Sequence, residues 1–194
     1  MCGLSGLSPA ETRGSSPEDQ AMTRQDGRAP QCCTAQDRDD NRHSLKSLND
    51  FERGTLEVAR CFFQTFAHPD GQSWMQSFDT ARRAFETGDP AQYVFKILRV
   101  VQAMRIARRS AFCFSNPHCT VCAGMLSEGE KQLTSALEAV RVGKRSSAHI
   151  HALLLTEGNN PSQMLHEMRA LCIYGAQLAH PADHGPSAVQ AAYI

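Results

Sequence analysis

Two cysteines three positions apart, Cys119 and Cys122, are the residues of this chain whose types and spacing could do chemistry. They lie in the stretch SNPHCTVCAG at residues 115–124, with His118 beside the first cysteine and Cys113 slightly upstream. In a C-x-x-C pair the two sulfurs can share a metal ion or close a disulfide. Three interpretations are open: a structural metal site, a redox or regulatory thiol pair, and reduced cysteines without a special role.

A redox pair is favoured if the stretch forms a short helix. Ser115 or Asn116 would cap that helix and Pro117 would take its first position, so that Cys119 lies in the first turn and Cys122 one turn later on the same face. The unpaired N–H groups of a first turn lower the pKa of a nearby thiol. This conformation predicts a pair that responds to oxidants.

A metal site is favoured if the stretch instead forms a knuckle ahead of the next helix. Both thiolates then point to one position, as they do around tetrahedral zinc, with Cys113 as a third sulfur. His118 is the local candidate for the fourth ligand. His166 is the distant one, because the last predicted helix starts back near the thiols. The hypothesis is a zinc site drawn from Cys113, His118, Cys119, Cys122 and His166.

The elements that must position this stretch are helices. Apolar residues recur every three or four positions through residues 44–180, and no strand-like alternation appears. We predict a first helix that opens with a cap at Ser47 and Asp50, and a fourth that opens with a capping box. That box pairs Ser127 with Glu130. The predicted fold class is all-α, a single bundle of about six helices.

The second predicted helix has an apolar side of four residues at intervals of four, three and four. These residues are Trp74, Phe78, Ala81 and Phe85. Such spacing is typical of the buried face of a helix, so we expect this side to face the core.

The two ends of the chain differ in composition from its centre. Residues 1–43 are rich in Gly, Ser, Pro, Asp, Arg and Gln and contain no aromatic residue, and the tail PADHGPSAVQAAYI at residues 181–194 looks similarly loose. Segments of this kind bury too little apolar surface to offset the entropy of ordering. We therefore predict a disordered arm over 1–43, a helical domain over 44–180 and a flexible tail over 181–194.

The charge balance narrows the classes of partner. Twenty basic and twenty acidic residues cancel, so the chain has no global field that attracts nucleic acid or an anionic membrane. A local basic segment keeps nucleic acid as an alternative partner: Lys96, Arg99, Arg105, Arg108 and Arg109. On a helical wheel these residues form two small clusters, which favours a solvated rim over a binding face.

Compartment and anchoring follow from what the sequence does not contain. No apolar run approaches the roughly eighteen residues of a membrane span, and the first thirty residues carry no secretory or transit pattern. We therefore expect a cytoplasmic protein without a membrane partner. The eight cysteines are then expected to be reduced thiols.

One short motif resembles part of a known family. The sequence HPD at residues 68–70, between two predicted helices, resembles the His-Pro-Asp motif of J-domain co-chaperones. The helix before that motif is strongly basic in the family and has only Arg53 and Arg60 here, and Gly71 stands where the family has a lysine. The favoured interpretation is a helix stop made of Pro and Gly.

Motifs for catalysis do not occur. The chain has no glycine-rich phosphate loop and no G-x-S-x-G elbow, and His166 followed by Glu167 lacks the second histidine of H-E-x-x-H.

The leading prediction is a small helical regulatory protein that binds a macromolecule, in first place a protein. The alternatives are a nucleic-acid-associated regulator that uses residues 96–109 and, third, a thiol oxidoreductase. Enzymatic activity is left open, with no activity favoured.

Overall fold

Six helices build the part of the chain that a computed structural model describes, residues 44–179. They are α1 (Asp50–Ala67), α2 (Gln76–Ala84), α3 (Pro90–Ala107), α4 (Glu128–Arg141), α5 (Arg145–Leu155) and α6 (Ser162–Ala179). The prediction of an all-α fold with about six helices is confirmed. The predicted arm, 1–43, and tail, 181–194, lie outside the described residues.

Local sequence signals set the helix ends, with one correction. At α4 the predicted capping box is present: Ser127 Oγ accepts the N–H of Glu130 at 3.2 Å, and the Glu130 carboxylate accepts the N–H of Ser127 at 2.8 Å. The predicted cap of α1 was wrong, because Asn49 is its N-cap. Ser47 belongs to the preceding 3₁₀ turn, where its hydroxyl donates to the carbonyl of Ser44 at 2.7 Å.

The buried face of α2 also differs from the predicted one. Ala81 is fully buried, but Trp74 and Phe78 are 46% and 40% exposed. Ser77 is buried in their place. The predicted spacing assumed one continuous helix, but Trp74 lies in a 3₁₀ turn, Ser73–Met75, ahead of α2. Within α2 itself, the buried positions are Ser77 and Ala81.

The core is shared among all the longer helices. Helix α3 packs on α6, α4 packs on α5, and α1 contacts α2, α3 and α4. The largest fully buried apolar side chains come from five helices: Leu56, Ile97, Met104, Leu137, Leu155, Met164, Met168 and Leu171. Within the range 44–179, no helix is long and apolar enough to cross a membrane.

One connection stands out by its length. Residues 108–127, called here the cysteine loop, join α3 to α4 without forming a helix. Connections of this length inside a bundle are uncommon and usually have a function. The cysteine loop contains the C-x-x-C pair.

Candidate functional site in the cysteine loop

A chain of turns shapes the cysteine loop around its two central cysteines. The side chain of Asn116 accepts the N–H of His118 at 2.9 Å, and its carbonyl accepts the N–H of Cys119 at 3.2 Å. The carbonyl of Cys119 then accepts the N–H of Ala123 at 2.8 Å. These are turns and not the short helix that would place Cys119 in a first helical turn. The conformation is closer to the knuckle alternative.

The structure brings the C-x-x-C pair together but does not gather all the predicted ligands. Cys119 and Cys122 lie 3.5 Å apart, the first half-buried and the second buried. Cys113 and His118 are exposed in the same loop, and His166 is exposed on α6. Among the residues from 44 to 179, no group of three or more His, Cys, Asp or Glu side chains is placed to hold a metal ion. The zinc site stays a prediction.

A buried ion pair between α1 and α4 supports the cysteine loop. Arg60 of α1 and Glu130 of α4 are both fully buried. Arg60 Nε donates to Glu130 Oε1 at 2.7 Å, and Nη2 donates to Oε2 at 3.0 Å. This two-bond geometry is the strongest form of an arginine–carboxylate contact. The cysteine loop has a first limb, residues 112–115, and a second limb, residues 123–127. Arg60 also donates to the carbonyls of Ala123 at 2.7 Å and Met125 at 2.6 Å, which fixes the second limb.

Glu130 fixes both limbs of the loop at the level of α4. Its Oε1 accepts the N–H of Ser115 at 3.1 Å, and its Oε2 accepts the N–H of Ser127 at 2.8 Å. Arg60 and Glu130 therefore make six hydrogen bonds between them and with the loop backbone. A buried charge is tolerated when its hydrogen bonds are complete, and here they hold a segment that has no helix of its own.

Sequence reasoning missed Arg60 as a loop support, although a signal was present. Arg60 lies within the predicted apolar stripe of α1, next to Ala59 and between Leu56 and Phe63 at helical spacing. A cation on a buried face requires a partner. The capping residue Glu130 was already expected at an end of the cysteine loop, so the pair could have been suspected.

Aromatic packing holds the first limb of the loop. The rings of Phe112 and Phe114 lie 4.6 and 5.5 Å from the ring of Phe63 on α1, measured between centroids. Ser127 Oγ donates to the carbonyl of Cys113 at 2.9 Å. Both limbs are thus held by α1 and by the start of α4, and the exposed part of the loop lies between them.

Two other thiols in the described range have a different environment. Cys61 and Cys172 are buried in the core. Burial raises the pKa of Cys61, and burial followed by the nearby Glu52 carboxylate raises the pKa of Cys172 to about 12. Since the thiolate is the reactive form, burial disfavours reaction of these two thiols at neutral pH.

The predicted basic segment makes contacts within the protein itself. Four of its cations have partners: Arg99 donates to Glu167 at 2.8 Å, Arg108 pairs with Glu157 at 2.9 Å, Lys96 lies 5.2 Å from the ring centre of Tyr174, and Arg105 lies 4.7 Å from that of Phe66. Two of the five cations in this segment therefore pair with carboxylates, and two more lie against aromatic rings.

Fold and site together define an all-α domain with a dithiol loop on a buried ion pair. Comparison with protein-family models, with curated proteins and with solved structures found no match to this chain. The HPD sequence forms the end of α1 and a 3₁₀ turn at Pro69–Gly71.

Proposed function

We propose that Cys119 and Cys122 form a dithiol switch on a small helical domain that binds another macromolecule, in first place a protein. The observation that supports this proposal is the 3.5 Å separation of the two cysteines within a loop whose limbs are both anchored. A disulfide has an S–S bond of about 2.0 Å, so a small movement of the turn closes it. Oxidation removes two protons and two electrons from the pair, and a small-molecule disulfide accepts them as two thiols.

The same anchoring directs the effect of oxidation to the surface. Glu130 holds the N–H of Ser115 and Arg60 holds the carbonyl of Ala123, so the movement is confined to the loop residues between Ser115 and Ala123. Val121, between the two cysteines, is 63% exposed. Closing the disulfide changes the position of this apolar side chain and of the turn around it. A partner that contacts Val121 therefore distinguishes the two redox states.

The test is a redox titration of the full chain with mixtures of reduced and oxidised glutathione, followed by mass mapping of disulfides. We expect one selective Cys119–Cys122 disulfide, which is lost in Cys119→Ser and in Cys122→Ser. Cys113→Ser is the matched control, since Cys113 is exposed in the same loop, and it should leave the disulfide unchanged. Absence of this disulfide at every glutathione ratio, or equal pairing with Cys113, would contradict the proposal.

Zinc is the second candidate chemistry for the same pair, and the knuckle-like turn at residues 116–123 favours it. Metal analysis of protein purified without chelator separates the two. One equivalent of zinc that disappears in both serine variants would replace the redox proposal with a structural metal site, and His118→Ala and His166→Ala would then identify the remaining ligand. A nucleic-acid partner ranks lower, because two of the five cations in the basic segment already pair with carboxylates of the bundle.

A further inference from the structure

A cavity of about 350 Å³ lies beside the cysteine loop and is separate from the C-x-x-C pair. It opens to solvent and is lined by the end of α1, the end of α3 and residues 108–114 of the loop. Its wall is apolar and largely aromatic: Phe63, Phe66, Val101, Met104, Phe112 and Phe114. Its volume lies at the lower end of the range for small-molecule sites, about 300–1,000 Å³.

The rim of the cavity is basic. Arg105, Arg108 and Arg109 line it, and the described lining contains no acidic residue. Arg108 is neutralised by Glu157, which it meets at 2.9 Å outside the lining. Arg105 and Arg109 pair with no carboxylate within residues 44–179. Two positive charges at the mouth are thus left to attract an anion.

Two of the arginines are held against the aromatic wall. The guanidinium of Arg105 lies 4.7 Å from the ring centre of Phe66, and that of Arg108 lies 5.4 Å from that of Phe112. These contacts place positive charge where the apolar wall meets solvent. Apart from the arginines, the only polar side chain in the described lining is Ser110, whose hydroxyl donates to Glu157. A ligand rich in polar groups would therefore find few partners inside.

We infer that this cavity binds a small organic anion that has an apolar body and one terminal carboxylate or phosphate group. The phenylalanine wall encloses the apolar body, and Arg105 and Arg109 contact the anionic group. Both parts of the ligand are required by the charge and shape of the cavity, because an apolar body alone leaves the arginines unused. The inference does not depend on the redox state or on any metal bound at Cys119 and Cys122.

The test compares four compounds with ten-carbon chains on the full-length protein by isothermal titration calorimetry, the ionic ones below their critical micelle concentrations and decanol below its solubility limit. Decanoate and decyl phosphate should bind at one saturable site, and their relative affinity identifies the anionic group that the site prefers. Decanol should bind at least about tenfold more weakly, since it lacks the charge. Decyltrimethylammonium should not bind, because the arginines repel it.

Variants locate the binding and control for charge. Arg105→Gln and Arg109→Gln should each weaken decanoate binding about tenfold and leave decanol unchanged. Lys144→Gln removes a charge at the start of α5, outside the lining, and should have no effect. Ala111→Trp and Ala67→Trp, at exposed positions on two walls, should each fill the cavity and abolish binding while the circular dichroism spectrum is retained. Any of three results would overturn the inference. They are equal affinity for decanol and decanoate, binding that survives both tryptophan variants, and no saturable binding of either anion.

Discussion

Two carboxylates in the core, Glu130 and Glu52, each pair with an arginine from another helix, but their surroundings are opposite. Both oxygens of Glu130 accept hydrogen bonds, two from Arg60 and two from the loop backbone. Glu52 accepts one bond through Oε1, from Arg141 Nε at 2.7 Å, and its buried Oε2 has no partner within residues 44–179. Arg60 is fully buried, whereas the side chain of Arg141 is 36% exposed.

The electrostatic consequence appears at Glu52. Burial raises the pKa of its carboxyl group, and the hydrogen bond and charge of Arg141 only partly oppose that effect. Glu138 adds a smaller push in the same direction as burial. A counter-charge alone therefore does not offset the desolvation cost of a buried carboxylate, because the second oxygen remains without a hydrogen-bond donor.

What the two pairs hold explains the difference. Glu130 and Arg60 fix a loop whose limbs have no helical hydrogen bonds, so every bond that they supply replaces one that the loop would otherwise lack. Glu52 and Arg141 join α1 to α4, and these helices already pack against each other through the core. A complete hydrogen-bond set is found where the local structure depends on the pair.

The largest expected effect breaks the complete pair. Arg60→Met leaves Glu130 buried and without its charge partner, and it removes the donors to the second limb of the loop. We expect the free energy of unfolding to fall by about 3–5 kcal/mol, the loss typical of breaking a buried ion pair. The measurement is urea unfolding followed by circular dichroism.

The matched variant is Arg141→Met, which removes the arginine of the incomplete pair. Its loss of unfolding free energy should be clearly smaller, because Arg141 is partly exposed and Glu52 can take up a proton.

Hydrogen exchange should also speed up at residues 112–127 in Arg60→Met and stay unchanged there in Arg141→Met. If Arg60→Met does not fold, Arg60→Lys keeps the charge and loses the two-bond contact, and it should still exceed Arg141→Met in its effect. Equal losses at the two sites would refute the comparison.

The next prediction uses pH to isolate Glu52. A carboxyl group whose pKa is raised in the folded state favours folding below its ordinary value of 4.5, and this contribution is lost as pH rises through the raised pKa. Glu52→Gln has no such titration. The stability of the wild type relative to Glu52→Gln should therefore fall as pH rises above 4.5 and then level off.

Urea unfolding of both proteins over a pH series measures this difference. Glu86→Gln, which changes an exposed carboxylate after α2, is the control for the loss of a negative charge. Curves for the wild type and Glu52→Gln that stay parallel between pH 4.5 and neutrality would show that burial does not dominate at this carboxylate.

The sequence predicted what depends on neighbouring residues. Helical periodicity and the Ser127–Glu130 spacing are local signals, and the fold class and this capping box follow from them. The pairing of Arg60 with Glu130 joins residues 70 positions apart, and no local pattern specifies which distant side chain completes a buried charge. The exposed face of α2 was missed because the apolar spacing was followed through Trp74, which lies in a separate 3₁₀ turn ahead of the helix.

The candidate site was predicted only at its centre. The spacing of Cys119 and Cys122 puts their side chains near each other in almost any turn, and they do lie 3.5 Å apart. Whether Cys113, His118 or His166 joins them depends on how the cysteine loop folds, and that is set by Arg60, Glu130 and the packing of Phe112 against Phe63 of α1. Long-range contacts of this kind are not encoded in the spacing of the ligands themselves.

The smallest expected effect concerns Glu157, an exposed carboxylate that is as well satisfied as Glu130. It accepts hydrogen bonds from the Ser110 hydroxyl, from the N–H of Arg109 at 2.9 Å and from the N–H of Ser110 at 3.3 Å, and it pairs with Arg108. Its backbone has a φ of 57°, in the left-handed region that residues other than glycine seldom adopt, within the turn that ends α5, where the N–H of Gly158 donates to the carbonyl of Leu153 at 2.9 Å. The hydrogen bond from Ser110, followed by that from Arg109, lowers the pKa of this carboxyl group.

The sign of its pH dependence is therefore opposite to that of Glu52. A lowered pKa contributes stability that is present above the ordinary value of 4.5 and is lost as pH falls through the lower, folded-state value. Glu157→Gln should be slightly less stable than the wild type at neutral pH, and the two unfolding curves should converge as the solution is acidified. The difference should be small, because solvent and salt screen an exposed group. If Glu157→Gln instead gained stability relative to the wild type with rising pH, as expected for Glu52→Gln, the number of hydrogen-bond donors would not be what separates these two carboxylates.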